Sequence, residues 1–170
     1  MSAKIRNERE LRAARLRGQI LPVLTTLAGS CVVLLPFVAT MPMLPPFGFL
    51  MLIAWRLLRP ELWPVWIGLP LGLFDDLMSG QPIGSAMMLW TLALLAIDVI
   101  DQRLVWRDYW QDWLIAAGLT IAMLLGGLVT ANMAGGEGHI VLIMPQMLIS
   151  ILIYPAVARV CALLDRWRLS

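Results

Sequence analysis

The sequence predicts an all-α integral membrane protein with six transmembrane helices and both termini on the cytoplasmic side. The first observation is composition: 60% of the 170 residues are hydrophobic and 14% are charged, whereas soluble domains are about 45–50% apolar and about 25% charged. The second is that long apolar runs separate the charges, and the third is that all basic residues fall on one side of a six-helix arrangement. A soluble monomer is excluded, and so is a basic nucleic-acid-binding protein, because the net charge is only +2.

The run 18–55 carries no charge and must contain two helices. A single helix of that length would extend about 57 Å, whereas the hydrocarbon core of a bilayer is about 30 Å thick. The segment 41–46 contains three prolines, which remove amide donors and disfavour helical geometry in the residues before them. We therefore expect a turn there, with helix 1 at about 19–40 and helix 2 at about 46–58.

Four further charge-free runs predict helices 3 to 6: 62–74, 77–97, 113–136 and 138–158. The last three runs are long enough to span a membrane alone. The first is short and contains two prolines and two glycines. Helix 3 therefore spans only if it starts near Glu61 and carries Asp75 and Asp76 toward its far end.

The positions of the 13 basic residues predict the orientation. They lie in 1–17, between helices 2 and 3, between helices 4 and 5, and after helix 6. We expect that side to be cytoplasmic, with the basic segment attracted to anionic membrane lipid. The predicted organisation is a basic cytoplasmic segment 1–17, a transmembrane domain 18–160 and a short cytoplasmic tail 161–170.

Ionisable residues inside the predicted helices are few, which argues against an enzyme. A catalytic or ion-coupled membrane protein needs such groups within the bilayer, and helices 1, 2 and 5 have none in their interiors. One histidine, His139, and two distant cysteines do not form a Cys/His metal site, so we expect neither a metal nor another cofactor. Asp98 and Asp101, at the end of helix 4, are interpreted as a hydrated cytoplasmic cap.

The segment 72–84, at the end of helix 3, is the most informative part of the chain. Ser79 and Gly80 favour a tight turn. A carboxylate just before them is placed to accept hydrogen bonds from amides at the start of helix 4. Three interpretations of Asp75 and Asp76 stay open: a buried cap that holds the hairpin of helices 3 and 4, a ligand or proton site, and a contact with a partner.

Helix 5 carries a stripe of small residues at four-residue spacing: Gly118, Ala122, Gly126 and Thr130. Such a stripe lets two helix backbones approach closely, which is the main way that helices associate in lipid. It serves either packing within the bundle or docking of a partner's transmembrane helix.

The turn segment and the region of helix 2 resemble the family of the rod shape-determining protein MreD. The matching residues of the turn are Asp76, Leu77, Ser79, Gly80 and Gly84, and Gly72 fits the start of the motif. The residues similar to the family's pattern around its second helix are Pro45, Trp55 and Pro60. Length, six spans and a cytoplasmic N-terminus extend the resemblance over nearly the whole chain.

Two positions depart from the family pattern. Asp75 stands where the family has an apolar residue before the motif aspartate, and Leu44 stands where an arginine often precedes the proline. A role that the family gives to that arginine is therefore not carried over to this chain.

The resemblance implies a non-enzymatic component of the cell-elongation (rod) complex in the bacterial inner membrane, supporting peptidoglycan synthesis and rod shape. The implied direct partner is MreC, a single-span periplasmic scaffold protein. The implied indirect partners are the filament protein MreB, the glycosyltransferase RodA and a class B penicillin-binding transpeptidase. The family's fold is similar to the substrate-binding components of energy-coupling-factor transporters.

That similarity supplies an alternative function, the substrate-capture membrane component of a vitamin or metal transporter. A half-broken helix 3 that ends in two aspartates resembles the discontinuous helices of transport sites. Against this alternative, the outer segments 41–45 and 131–139 are short and rich in Gly, Pro and Met. Such segments are poor material for enclosing a polar ligand.

Overall fold

The computed structural model describes residues 20–34, 44–103 and 108–169, and the regular elements in those ranges are all helical. Six helices follow in order: α1 Ile20–Leu34, α2 Phe47–Leu58, α3 Gly68–Ser79, α4 Ser85–Arg103, α5 Tyr109–Met133 and α6 Ile140–Leu169. Short 3-10 turns end α1 at Val32–Leu34 and precede α3 at Val65–Ile67. The predicted all-α class is confirmed, while residue 19 and residues 35–40 of predicted helix 1 lie outside the described residues.

Three of the helices, α4, α5 and α6, are long and apolar enough to cross a membrane. Over the described residues, α1 and α2 are shorter apolar helices. α2 and α3 have 12 residues each, or about 18 Å at a rise of about 1.5 Å per residue, against a hydrocarbon core of about 30 Å. The six predicted helices are therefore present, and the three long ones lie in the second half of the chain.

α3 starts later than a full span requires. A full span requires a start near Glu61, but residues 60–62 form a turn and the helix begins at Gly68. Pro64 explains the difference, because it has an extended backbone (ψ 155°) and no amide donor. The two aspartates still lie near the C-terminal end of the helix, as predicted.

α2 lies at the centre of the bundle and packs against α4, α5 and α6. Five of its side chains have no exposed surface: Phe49, Leu50, Leu52, Ile53 and Trp55. The Trp55 indole donates a hydrogen bond to Thr25 Oγ1 of α1 at 2.9 Å, so its polar edge is satisfied inside the bundle. The rings of Phe49 and Trp90, with centroids 5.9 Å apart, join α2 to α4.

Glycines bring neighbouring helices into close contact at two crossings. A Cβ atom on Gly29 of α1 would lie 2.9 Å from the amide nitrogen of Gly48 in α2. A Cβ atom on Gly68 of α3 would lie 2.9 Å from the Cα atom of Thr91 in α4. Larger residues would separate these helices, since small residues at helix crossings are what allow backbones to approach in lipid.

The C-terminal ends of α2 and α4 meet in a partly buried ionic cluster. The Arg56 side chain is 6% exposed and donates hydrogen bonds to the Asp98 carboxylate and to the carbonyl oxygen of Pro60. Arg56 Nη1 also lies 3.5 Å from Asp101 Oδ2. One guanidinium thus faces two carboxylates and a helix-end carbonyl, which its several fixed donors can satisfy together.

Asp98 and Asp101, interpreted from the sequence as a hydrated cap, are partly exposed and also have a cationic partner that the sequence does not indicate. Both carboxylates pair with Arg56, because α2 packs against α4 and brings the guanidinium to them. A second pair joins the end of α2 to α6, where Arg59 donates two hydrogen bonds to Asp165 Oδ2 at 2.8 and 3.0 Å. These pairs hold α2, α4 and α6 together at the end of the bundle that is predicted to be cytoplasmic.

Arg56→Met should destabilise the bundle, because the two carboxylates would then lack their shared cation. We expect a loss of about 2–4 kcal/mol in the free energy of unfolding, less than for a fully buried pair because Asp98 is partly exposed. Unfolding of the purified protein in mixed micelles with increasing SDS measures the loss. Arg103→Met is the control, because Arg103 is exposed at the C-terminal end of α4, the helix that carries Asp98 and Asp101. This variant should change the free energy of unfolding by less than about 0.5 kcal/mol. Equal losses would contradict the role of the cluster.

Candidate functional site

The turn between α3 and α4 is shaped by two glycines with positive φ. Gly80 ends α3 in the left-handed conformation at φ 67°, and Gly84 precedes α4 at φ 99°. Residues with a Cβ atom rarely adopt these angles. The Ser79 hydroxyl donates a hydrogen bond to the Asp75 carbonyl oxygen at 2.7 Å, which reinforces the last turn of α3.

Asp76 caps the N-terminus of α4 from within α3. It is 1% exposed, and its Oδ1 accepts hydrogen bonds from the Ser85 hydroxyl at 2.9 Å and the Ala86 amide at 2.8 Å. Its Oδ2 accepts from the amides of Gly84 at 2.8 Å and Met87 at 3.5 Å. Amides at a helix start have no partner within the helix, and the helix dipole places partial positive charge there. A buried carboxylate satisfies both requirements.

Gly72, one turn before Asp76, lets α3 approach α4 closely enough for this cap. A Cβ atom at Gly72 would lie 2.6 Å from the Met87 amide nitrogen and 2.7 Å from the Ala86 carbonyl. Residues four apart share one face of a helix, so Gly72 and Asp76 face α4 together. Of the three interpretations that the sequence leaves open, the hydrogen bonds of Asp76 correspond to the buried cap.

The other residues of the sequence motif lie in different surroundings. Leu77 is exposed on the outer surface of α3, and Trp55 lies in the core. Pro45 is buried just before α2, whereas Pro60 is exposed beyond its other end, where its carbonyl accepts a hydrogen bond from Arg56. The motif residues therefore lie in the α3–α4 turn, before and within α2, and next to the ionic cluster.

A cavity of about 360 Å³ lies beside the turn, among the ends of α1, α2, α3, α5 and α6. Asp75 lines it, so the two neighbouring carboxylates have different surroundings: Asp76 binds the amides of α4, and Asp75 borders the cavity. Among the described residues, the other polar side chains in the wall are Ser30, Ser79, Gln81 and Gln146. Gln146 Nε2 donates a hydrogen bond to the Leu44 carbonyl oxygen at 2.6 Å, which holds α6 against the chain before α2.

Ser30 and Gln146 are residues of this cavity that the sequence analysis did not identify. Each is a polar residue within an apolar helix, and this is the sequence feature that could have indicated a place in a cavity wall. The signal is weak, because hydroxyl side chains in membrane helices commonly bond to the preceding turn. Thr26, Thr120 and Ser150 do so here.

The described residues do not bring three or more His, Cys, Asp or Glu side chains together as a possible metal site. The described part of the cavity wall contributes one carboxylate, two hydroxyls and two side-chain amides. Such a set can donate and accept hydrogen bonds and can neutralise one positive charge.

The small-residue stripe of α5 is divided between two surroundings. Gly126 packs against Leu89 of α4, whose side chain would lie 2.5 Å from a Cβ atom at this position. Gly118 has no such neighbour within 4 Å in the described part of the chain, and Ala122 is exposed. The Thr130 hydroxyl bonds to a carbonyl of its own helix. Gly126 thus contributes to packing within the bundle, while Gly118 and Ala122 form an open face.

Asp76→Asn should destabilise the protein, because the new side chain keeps one acceptor oxygen and turns an NH₂ group toward the donors of α4. We expect a loss of about 1–3 kcal/mol in the free energy of unfolding, measured by SDS unfolding in mixed micelles. Asp75→Asn is the matched control, since the hydrogen bonds from the α4 amides go to the neighbouring carboxylate. If the two variants lose equal stability, Asp76 does not act as a cap.

The comparison with protein families covers most of the chain. The family model of the rod shape-determining protein MreD matches residues 15–164, a range that includes α2 and the α3–α4 turn. None of the curated proteins and none of the solved structures compared matches the chain. The long apolar helices fit the membrane location of the family. The chain therefore belongs to the MreD family of rod shape-determining membrane proteins.

Proposed function

We propose that this chain is a non-enzymatic adaptor of the cell-elongation (rod) complex, which binds the single-span scaffold MreC and so supports peptidoglycan synthesis and rod shape. The observation that carries the proposal is the family match over residues 15–164. Through MreC the adaptor connects indirectly to MreB, RodA and a class B penicillin-binding transpeptidase. In this proposal it lies in the bacterial inner membrane with both termini cytoplasmic, and its fold is of the kind found in the substrate-binding components of energy-coupling-factor transporters.

The distribution of charge supports the proposed orientation. Arg56 and Arg59 lie at the end of the bundle where α2 and α4 terminate, together with their carboxylate partners. The α3–α4 turn lies at the opposite end of α4 and contains no basic residue. An excess of arginine at one end alone is what the cytoplasmic side of a membrane protein carries.

The motif residues have a structural part in this proposal. Those of the turn fix α3 against α4, and those around α2 bury and anchor the central helix. In the turn they are Asp76, Ser79, Gly80 and Gly84, whereas Leu77 is exposed on α3; around α2 they are Pro45, Trp55 and Pro60. A rigid bundle with an open face is what an adaptor requires, because partner binding then needs little reorganisation.

The open face of α5, formed by Gly118 and Ala122, supports docking of a single helix. Its small side chains let a second backbone approach closely. Thr130 also lines a shallow groove of about 450 Å³ with apolar neighbours at the end of the bundle near the α3–α4 turn. Two of those neighbours, Ile83 and Met133, are 76% and 83% exposed. The α5 face therefore leads into an apolar surface that a partner's helix can cover.

Purification from native membranes in a mild detergent tests the proposal. We expect a single-span protein with a large periplasmic domain to accompany the chain. Recovery of an ATPase module and a small transmembrane coupling protein instead would overturn the adaptor and support the alternative, a substrate-capture component of a vitamin or metal transporter. The cavity beside Asp75 favours that alternative, since a carboxylate in a mostly apolar wall suits a small ligand.

Gly118→Leu should lower the amount of MreC recovered per chain about tenfold or more, because the new side chain fills the open part of the α5 face. SDS unfolding of the variant should match the unsubstituted protein. Gly126→Leu should lower both MreC recovery and stability, since this position already packs against Leu89. Ala156→Leu, at an exposed position of α6, is the control and should change neither. Undiminished MreC recovery with Gly118→Leu would contradict docking on the α5 face.

A further inference from the structure

The cavity beside the α3–α4 turn contains an acidic group without a basic neighbour. Asp75 is half-buried, and none of the described residues that line the cavity is an arginine, lysine or histidine. The ion pairs among the described residues involve Arg56 and Arg59, at the other end of the bundle. A carboxylate in mostly apolar surroundings is costly unless a donor or a cation compensates its charge.

Ser30 places a hydroxyl next to this carboxylate. Ser30 is 2% exposed, and its Oγ atom has no hydrogen bond of ordinary geometry among the described residues. The side chain packs against Gly48 of α2, where a Cβ atom would overlap with the hydroxyl. The hydroxyl is thus held at the cavity wall beside Asp75 with hydrogen-bonding capacity to spare.

The size and the walls of the cavity define the class of ligand. Its volume of about 360 Å³ is within the range of small-molecule sites, about 300–1,000 Å³. Much of the wall is apolar and comes from Phe47, Met123, Leu124 and Ile143. A single carboxylate is a poor set of ligands for Mg²⁺ or Ca²⁺, which bind several oxygen atoms. The surroundings therefore suit an organic cation with an apolar body.

We propose that this cavity binds a small organic ammonium ion. The ammonium group lies on the cavity side of Asp75 and Ser30 and donates hydrogen bonds to the carboxylate and to the hydroxyl oxygen, both of which are acceptors. The apolar body lies against Phe47 and Met123. The proposal is independent of MreC docking, because Gly118 and Ala122 of the α5 face are not part of the cavity wall.

Methyl NMR with hexylammonium chloride as the probe tests this proposal. The full chain is placed in lipid nanodiscs with ¹³C-methyl methionine, where Met123 reports on the cavity and Met133, which is not part of the cavity wall, reports on partition of the probe into lipid. We expect a saturable shift of the Met123 signal and none of the Met133 signal. 1-Hexanol has the same apolar chain without the charge, and its affinity should be lower by a factor of about ten or more.

Variants separate the proposed site from unspecific binding. Asp75→Asn should weaken hexylammonium binding about tenfold or more, and Ser30→Ala about threefold or more. Glu137→Gln removes an exposed acid between α5 and α6 and should leave binding unchanged. SDS unfolding tests whether each variant folds. If Asp75→Asn does not fold, the binding of hexylammonium to Ser30→Ala and the comparison with hexanol decide whether the proposal holds. Equal binding of hexylammonium and hexanol, or unsaturable shifts of both methionines, would overturn the proposal.

Discussion

The binding of the Asp76 carboxylate to the start of α4 is the interaction on which the end of the bundle at the α3–α4 turn depends. An amide without an acceptor is costly in lipid, and the first turn of α4 presents several of them. Because the acceptor comes from α3, the hydrogen bonds that satisfy α4 also fix α3 against it. Gly72 is required by the same arrangement, since any side chain there would push Asp76 away from the amides. Gly80 and Gly84 then let the chain reverse within a short turn.

Adjacent positions on α3 give its two carboxylates different neighbours. Consecutive residues of a helix are about 100° apart around its axis, so Asp76 binds α4 while Asp75 borders the cavity. The position of Asp75 is thereby tied to the cap, because α3 cannot rotate without breaking the hydrogen bonds of Asp76. The cavity is therefore preorganised by a contact that lies outside it, which lowers the cost of ordering a ligand site.

The Asp76 cap could be anticipated from the sequence because it is local. The carboxylate and its farthest amide donor are 11 residues apart, and the glycines between them indicate a turn. The pairing of Arg56 with Asp98 spans 42 residues, and each residue alone has the pattern of a hydrated charge at a membrane boundary. The ion pair forms only because α2 packs against α4, a contact that the sequence does not show. The position of Ser30 likewise depends on the crossing of α1 and α2. The hydropathy of the sequence does not indicate that Pro64 moves the start of α3 to a later residue.

α5 carries both the wall of the cavity and the face proposed for the partner. Leu124 and Gly127 line the cavity, while Gly118 and Ala122 are open on another part of the same helix. A ligand changes partner binding only if its affinity differs between two conformations of the protein in which α5 is placed differently. The partner then changes the affinity for the ligand by the same factor. α5 buries three of its 25 residues, whereas α2 buries nine of its 12. The helix that touches both surfaces thus buries few of its side chains, so it is a better carrier of such coupling than the central helix α2.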